Sequence, residues 1–216
     1  MGFLSAFNKR SPSDRHQAIE RFTALIAAYL QRLEIQGGDI EERSLTLIAR
    51  SPSAAAARAL SLQGPALERA QVTARLIFAR LSPVEMLTDL AGALNLAVPR
   101  DGKSDCVRLI KTPGVLNAHE QLVLGSAYCW TGDMLRRCEE NRNGLDLLEE
   151  DMPGSVRLAH FAFNAIWSIA KPVPARILCG STRGPGERAP VAPAVAAAGL
   201  ATANAAARTS PWPTRH

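Results

Sequence analysis

The sequence is poor in several features that mark particular classes of protein. Aromatic residues make up 5% of the 216 positions, and their scarcity beside abundant alanine favours closely packed helices over β-sandwiches or barrels. The four cysteines form no CxxC pair and no cysteine–histidine spacing typical of zinc sites, so we expect reduced thiols, no metal and no cofactor. The start lacks a secretory signal pattern, which predicts a cytoplasmic protein.

The sequence also lacks a membrane-spanning run and the motifs of the common catalytic classes. Its longest strongly apolar run, residues 158–170, is interrupted by His160 and Asn164 and is too short to cross a bilayer. We find no glycine-rich phosphate loop, nucleophile elbow, metal-ligand cluster or pair of catalytic acids. We therefore expect a protein that is not an enzyme.

The net charge of +5 belongs to the two ends of the chain. Lys9 and Arg10 stand near the start, and four arginines against Glu187 stand in residues 180–216. Acidic and basic side chains balance over the rest of the sequence. The overall basicity is therefore no evidence that the folded part binds nucleic acid.

Segments with helical periodicity follow one another through much of the chain. They cover residues 11–36, 39–49, 52–64, 66–81 and 82–96, and serine, proline or glycine separates them. Short turns between helices of this length favour antiparallel hairpins. We predict an all-α fold, a single helical bundle or irregular array of six to eight helices, over residues 11–178 after an N-terminal segment, residues 1–10.

The last part of the sequence has a different composition. Residues 179–216 are dominated by alanine, proline, glycine, serine and threonine and show no apolar period. Such a segment buries too little apolar surface to offset the entropy of ordering its backbone. We predict a disordered tail over residues 179–216.

Residues 155–171 are apolar on nearly every side of a helix, with side chains such as Leu158, Phe161 and Trp167. A helix of this kind usually lies at the centre of the core. If the fold leaves it uncovered, we expect it to be a partner-binding surface instead.

Residues 119–138 predict a helix with an unusual stripe of small residues. At 100° per residue, Tyr128, Trp130 and Met134 fall on an apolar face. The opposite face carries the candidate partner-binding set: Gly125, Cys129, Gly132, Asp133 and Arg136. A glycine costs about 1 kcal/mol in a solvated helix, so either another helix packs closely there or the helix breaks at Gly132.

This stripe supports the first hypothesis for function, a protein-interaction or regulatory module that binds a protein partner. A reactive Cys129 thiolate, with Arg136 two turns away to lower its pKa, is an alternative use of the same residues. The oligomeric state stays open at this point.

Residues 87–111 carry a second candidate site. A helix that includes Leu87 and Leu94 is followed by an extended link and then by a short helix expected to begin at Ser104. This pattern resembles the helix-extension-helix units of the SAP and Rho amino-terminal type, although Asn95 stands where a glycine is usual and Cys106 where a large aliphatic residue is usual. The resemblance implies a nucleic-acid-binding regulator, the alternative function, with contacts through four cations: Arg100, Lys103, Arg108 and Lys111.

Overall fold

The computed structural model describes residues 12–96, 103–137 and 145–179, which form a mixed β-sheet with helices on both faces. The elements, in chain order, are α1 (Pro12–Gln36), β1 (Ser44–Ala49), α2 (Ala55–Arg69), β2 (Thr73–Phe78), α3 (Val84–Ala93), β3 (Lys103–Leu109), a 3-10 helix (Pro113–Asn117), β4 (His119–Leu124), β5 (Tyr128–Met134), β6 (Leu147–Glu150), α4 (Pro153–Ile169), β7 (Lys171–Pro174) and α5 (Ala175–Leu178). The all-α prediction is wrong, and the helical bundle with it, because seven strands join in one sheet of an α/β fold.

The chain divides into two units, Met1–Ser181 and Thr182–His216. The second unit, which holds nearly all of the predicted tail, lies outside the described residues, as does the predicted N-terminal segment at residues 1–10.

The strands lie in the order β6-β5-β4-β1-β2-β3-β7. β1, β2 and β3 are parallel, whereas β4 runs antiparallel to β1 and the outer strands are antiparallel to their neighbours. The carboxyl ends of β1, β2, β3 and β5 therefore meet at one edge of the sheet, together with the amino ends of β4, β6 and β7. We call this the carboxyl edge.

The two faces of the sheet pack against different helices. On β1, Leu45 and Leu47 join a core with residues of α1, α2 and α3, whereas Ile48 joins a second core with Phe163 of α4. This alternation follows from the two-residue period of a strand. α4 is the helix that the structure describes over the second face, so this face has the thinner cover.

Four helices are present where helical periodicity predicts them, and one of these, α2, covers most of segment 52–64 but continues past its expected end to Arg69. The apolar stripe of the first predicted helix is the buried side of α1, including Phe22, Ile26 and Tyr29. α3 lies within the predicted segment 82–96, and α4 coincides with the all-round apolar stretch. A stripe with a 3.6-residue period is specific for a helix with one buried side.

Two of the predicted helices are instead strands of the sheet centre. The second half of segment 39–49 is β1, and the second half of segment 66–81 is β2. Both strands are buried between two layers of helices and are nearly continuous apolar runs, SLTLIA and TARLIF. Periodicity alone does not separate a buried strand from a piece of buried helix.

The two segments that carried the candidate sites are also strands. Lys103–Leu109 is β3, where the second helix of the helix-extension-helix pattern was expected. Residues 119–134 form the hairpin of β4 and β5, and Gly125 at φ +56° lies in its turn. The single helix face that would have grouped the small residues does not exist.

None of the described helices combines the length and the apolar character needed to cross a bilayer.

Candidate functional site

A cleft of about 410 Å³ opens at the carboxyl edge, between α1, the start of α2 and the ends of β1, β4 and β5. Its volume lies within the range of ligand-binding clefts, about 300–1,000 Å³. It also lies where β1 has a parallel neighbour on one side and an antiparallel neighbour on the other. In open α/β sheets ligands bind beyond the carboxyl ends of the strands where the strand order changes direction.

The lining of the cleft is rich in carboxylates. Arg21 is the one guanidinium among the described lining residues. The four acidic lining residues are Asp14, Glu120, Asp133 and Asp146.

A β-bulge brings two of these carboxylates to the same face of the sheet. Gln121 pairs with Thr131, but His119 pairs with Met134, so β5 holds one residue more than β4 between these pairs. Without the bulge, Asp133 would point to the α4 face, as Thr131 does. With it, Asp133 lines the cleft beside Glu120. Bulges of this kind re-aim side chains next to functional sites.

Asp133 is buried, with 5% of its surface exposed, and only one of its carboxylate oxygens is satisfied. Oδ1 accepts hydrogen bonds from the Met134 backbone N–H and from Nη1 of Arg137, each at 3.3 Å. Oδ2 has no hydrogen-bond donor within the described parts of the chain. Leaving a buried carboxylate oxygen without a donor costs on the order of 1–3 kcal/mol or more.

Glu120 is 3% exposed and is tied to the end of β1. Its Oε1 accepts a hydrogen bond from the backbone N–H of Arg50 at 2.9 Å. The Arg50 guanidinium in turn donates to the carbonyl of Arg137 at 2.5 Å. The ends of β1, β4 and β5 are thus held together by polar contacts around the cleft.

The opposite wall combines an aromatic pair with an ion pair. Trp130 and Phe22 meet edge to face, with ring centroids 4.7 Å apart. Nε1 of Trp130 donates to Oδ1 of Asp146 at 2.7 Å, and the Arg21 guanidinium forms an ion pair with the same carboxylate. Asp146 therefore already has donors, and Phe22 and Trp130 contribute aromatic surface to this wall.

The cleft accordingly offers a buried carboxylate oxygen that lacks a donor, with a second buried carboxylate and an indole nearby. This combination is complementary to an organic cation that carries N–H donors, an ammonium or a guanidinium. Such a group would supply the donor for Oδ2 of Asp133, whose other oxygen is already paired with Arg137.

The structure separates the five residues of the predicted small-residue stripe. Gly125 lies in the β4–β5 turn, where a Cβ would meet the Glu42 carbonyl at 2.7 Å. Gly132 lies beneath the Trp130 indole, whose nearest ring atom would be 2.3 Å from a Cβ. Arg136 is exposed just after β5, and its N–H donates to the Leu116 carbonyl. Asp133 is the one that lines the cleft.

Cys129 lies on the other face of the sheet, packed with Val123 and with Val156 and Ala159 of α4. Burial raises the pKa of its thiol, and the nearby Glu149 carboxylate adds to this, whereas a hydrogen bond with Thr131 acts in the opposite direction. A raised pKa means less thiolate at neutral pH, so the environment opposes the reactive-thiolate alternative.

The four cations of the nucleic-acid alternative do not form one surface in the described residues. Arg100 and the side chain of Lys103 lie outside them. Arg108 stacks on Trp167, with the guanidinium carbon 4.4 Å from the ring centroid, and donates to its carbonyl. Lys111 is exposed at the carboxyl edge.

Sequence reasoning missed Glu120 and Asp146, and it placed Trp130 on an apolar face without giving it a part in a site. The sequence gives little signal for Glu120, because it stands between His119 and Gln121 in the polar half of HEQLVL. The bulge that turns Asp133 towards it has no signal in the sequence.

The described residues contain no group of three or more histidine, cysteine, aspartate or glutamate side chains placed to hold a metal ion. A scan against protein-family models, a search of the curated proteins and a search of the solved structures each found no match for this chain.

Proposed function

We propose that this protein is a non-enzymatic binding module that holds an ammonium or guanidinium group in the cleft at the carboxyl edge. The observation that carries the proposal is Oδ2 of Asp133, a buried carboxylate oxygen without a donor among the described residues. The β-bulge supports it, since it points this oxygen into a cleft rather than into the α4 core.

The cation would be carried by a partner protein, as the side chain of an arginine or lysine. The same chemistry exists on free amines, so the test has to separate the two sources. Of the predicted partner-binding residues, the proposal retains Asp133 as the direct contact, whereas Gly132 supports the indole wall from below.

The test is calorimetric titration of the full chain with four probes. Three are pentapeptides that are identical except at one position, which is arginine, lysine or citrulline, and that carry no other charged side chain. The fourth is spermidine. Citrulline has nearly the shape of arginine without its charge. We expect the arginine or lysine peptide to bind and the citrulline peptide to bind at least about tenfold more weakly, a loss of about 1.4 kcal/mol.

The matched variants are Asp133→Asn and Asp89→Asn, the second being an exposed aspartate on α3. The first should weaken peptide binding at least about tenfold, and the second should leave it unchanged, because truncating one partner of a buried charge pair costs about 2–5 kcal/mol. Equal binding of the citrulline peptide, or undiminished binding by Asp133→Asn, would contradict the proposal. Tighter binding of spermidine than of the peptides would assign the cleft to a free amine.

A second candidate function is nucleic-acid binding, and a different observation favours it. Four exposed cationic side chains lie along the carboxyl edge, each next to the end of a strand. They are Arg80 after β2, Lys111 after β3, Arg136 after β5 and Lys171 at the start of β7. Rows of exposed cations are typical of surfaces that contact phosphates. Lys111 is the residue that this row shares with the site implied by the resemblance.

The measurement is fluorescence anisotropy with labelled duplex DNA and single-stranded RNA at several salt concentrations. If the row binds phosphates, changing Arg80 and Lys111 to alanine should reduce the slope of log K against log salt by about 0.9 per lost contact. Arg157→Ala, on the outer side of α4, is the control and should have no effect. Binding that is independent of salt, or equal in all variants, excludes this function.

A further inference from the structure

α4 carries an apolar stripe on its outer surface in addition to the side that packs on the sheet. Leu158 is 70% exposed, Phe161 is 74% exposed and Ile169 is 53% exposed. Ala165 is also exposed. At 100° per residue these four positions fall within about 80° of one another on the helix. We call them, with Ala162, the outer stripe.

Another exposed apolar side chain lies on the same face of the sheet as α4. Leu147 of the edge strand β6 is 49% exposed, and its pairing with Thr131 places it on the same face as α4. Between the sheet and α4 lies a second cleft, of about 470 Å³, and Leu158 and Ala162 form part of its wall. Polar side chains, among them His119, Gln121 and Glu149, also line this cleft, so the exposed apolar surface consists of the outer stripe with Leu147 as a separate apolar side chain on the same face of the sheet.

The geometry points to a second copy of this chain as the occupant of this surface: we propose that the protein is a two-fold homodimer in which two α4 helices pack antiparallel along their outer stripes. Such an arrangement needs a surface that is complementary to itself. An apolar surface satisfies this requirement when no like charges face each other across the axis.

The charge distribution of α4 meets that condition. Arg157 is the one ionisable residue of fixed charge between Pro153 and Ile169. With the two-fold axis at the middle of the outer stripe, between positions 162 and 165, the two Arg157 residues stand at opposite ends of the contact, on the order of 20 Å apart at 1.5 Å per residue. This separation exceeds the screening length of about 8 Å at physiological ionic strength.

The area of the surface is sufficient for a dimer. If covered, the outer stripe and Leu147 would remove roughly 500 Å² per protomer, so roughly 1,000 Å² for the pair, the lower limit for a specific interface. The alanines at the middle of the stripe allow the two helix axes to approach to about 8 Å, the short end of the range for packed helices.

The edge strand β6 lies beside the same surface. Within the described residues it ends the seven-stranded sheet, with one of its sides unpaired. Exposed sheet edges tend to be covered by further pairing, and an apolar edge strand is especially prone to it. The cleft of the proposed cation site lies on the other face of the sheet, so the dimer is independent of that function.

The test is the molar mass of the full chain in solution, measured by light scattering after size-exclusion chromatography over a range of concentrations. The monomer mass is 23.2 kDa, and we expect a species of twice that mass. Phe161→Glu and Leu158→Glu, each at a side chain that is mostly exposed, should return the protein to the monomer mass without changing its circular dichroism. Leu62→Glu, 61% exposed on α2 at the other face, is the matched control and should stay dimeric.

A photo-crosslinking amino acid at position 165 gives a second measurement that does not depend on a destabilising change. It should yield a covalent dimer, and the same probe at position 62 should not. A wild-type chain that stays at the monomer mass at all concentrations overturns the proposal. A dimer that survives both glutamate substitutions shows that the contact lies elsewhere and overturns it equally. Crosslinking of position 165 to residues 1–10 of its own chain would assign the stripe to that segment instead.

Discussion

At the scale of single residues, burial decides what each polar group can do. Asp133 and Cys129 lie four positions apart on the same strand, yet one faces the cleft and the other faces the α4 core. The bulge between them is the reason. A carboxylate oxygen that lacks a donor can bind a cation, whereas burial raises the pKa of the Cys129 thiol and so disfavours its reactive thiolate.

Cys129 should react slowly with alkylating reagents. Burial raises the pKa of its thiol, and 2% of the residue is exposed. Cys179 is exposed and serves as the internal reference. At pH 7 we expect iodoacetamide to modify Cys129 at least about tenfold more slowly than Cys179, since the thiolate is the nucleophile. Peptide mass spectrometry over time gives both rates, and equal rates would restore the reactive-thiolate alternative.

At the scale of elements, close contacts fix how the helices sit over the sheet. Gly64 of α2 packs against the end of α3, where a Cβ would lie 2.2 Å from the Ala93 carbonyl oxygen. Gly92, one residue before Ala93, has open space where its Cβ would be. A side chain at Gly64 would therefore collide with α3, whereas a side chain at Gly92 would meet nothing.

Gly64→Ala should lower the free energy of unfolding by about 1–3 kcal/mol, because the backbone of α3 has to move away. Gly92→Ala should raise it by up to about 1 kcal/mol, because alanine favours a helix where nothing obstructs it. Denaturant unfolding at constant m-value measures both changes. A loss of stability in Gly92→Ala as large as in Gly64→Ala would mean that the α2–α3 contact is not as close as described.

At the scale of the whole molecule, one sheet separates two surfaces with different chemistry. The α1–α2–α3 face ends in a cleft lined by carboxylates, and the α4 face ends in an exposed apolar stripe. Because helices on opposite faces of a sheet do not touch, the proposed cation site and the proposed dimer contact can be changed separately. Asp133→Asn should leave the dimer intact, and Phe161→Glu should leave cation binding intact.

Removal of residues 182–216 should leave the melting temperature unchanged within about 1 °C. The composition of this segment provides little apolar surface to bury, so it cannot repay its own ordering entropy. Differential scanning calorimetry of the shortened chain beside the full chain makes the comparison. A fall of several degrees would show that the segment contributes to the fold.

The helices with one buried side were determined by the sequence alone. The turns were not, since the break expected at residues 64–66 lies inside α2 and the turn at Gly125 was expected to be helix. α1 repeats apolar residues with a 3.6-residue period over 25 residues, which no strand can use. β1 and β2 were decided by the tertiary structure, since a six-residue apolar run becomes a strand only where neighbours supply its backbone hydrogen bonds. The cleft was also decided by the tertiary structure. The register of β4 and β5, the bulge in β5 and the pairing of β6 with β5 bring Glu120, Asp133 and Asp146 together. Each of these is a relation between distant segments, and no local pattern encodes it.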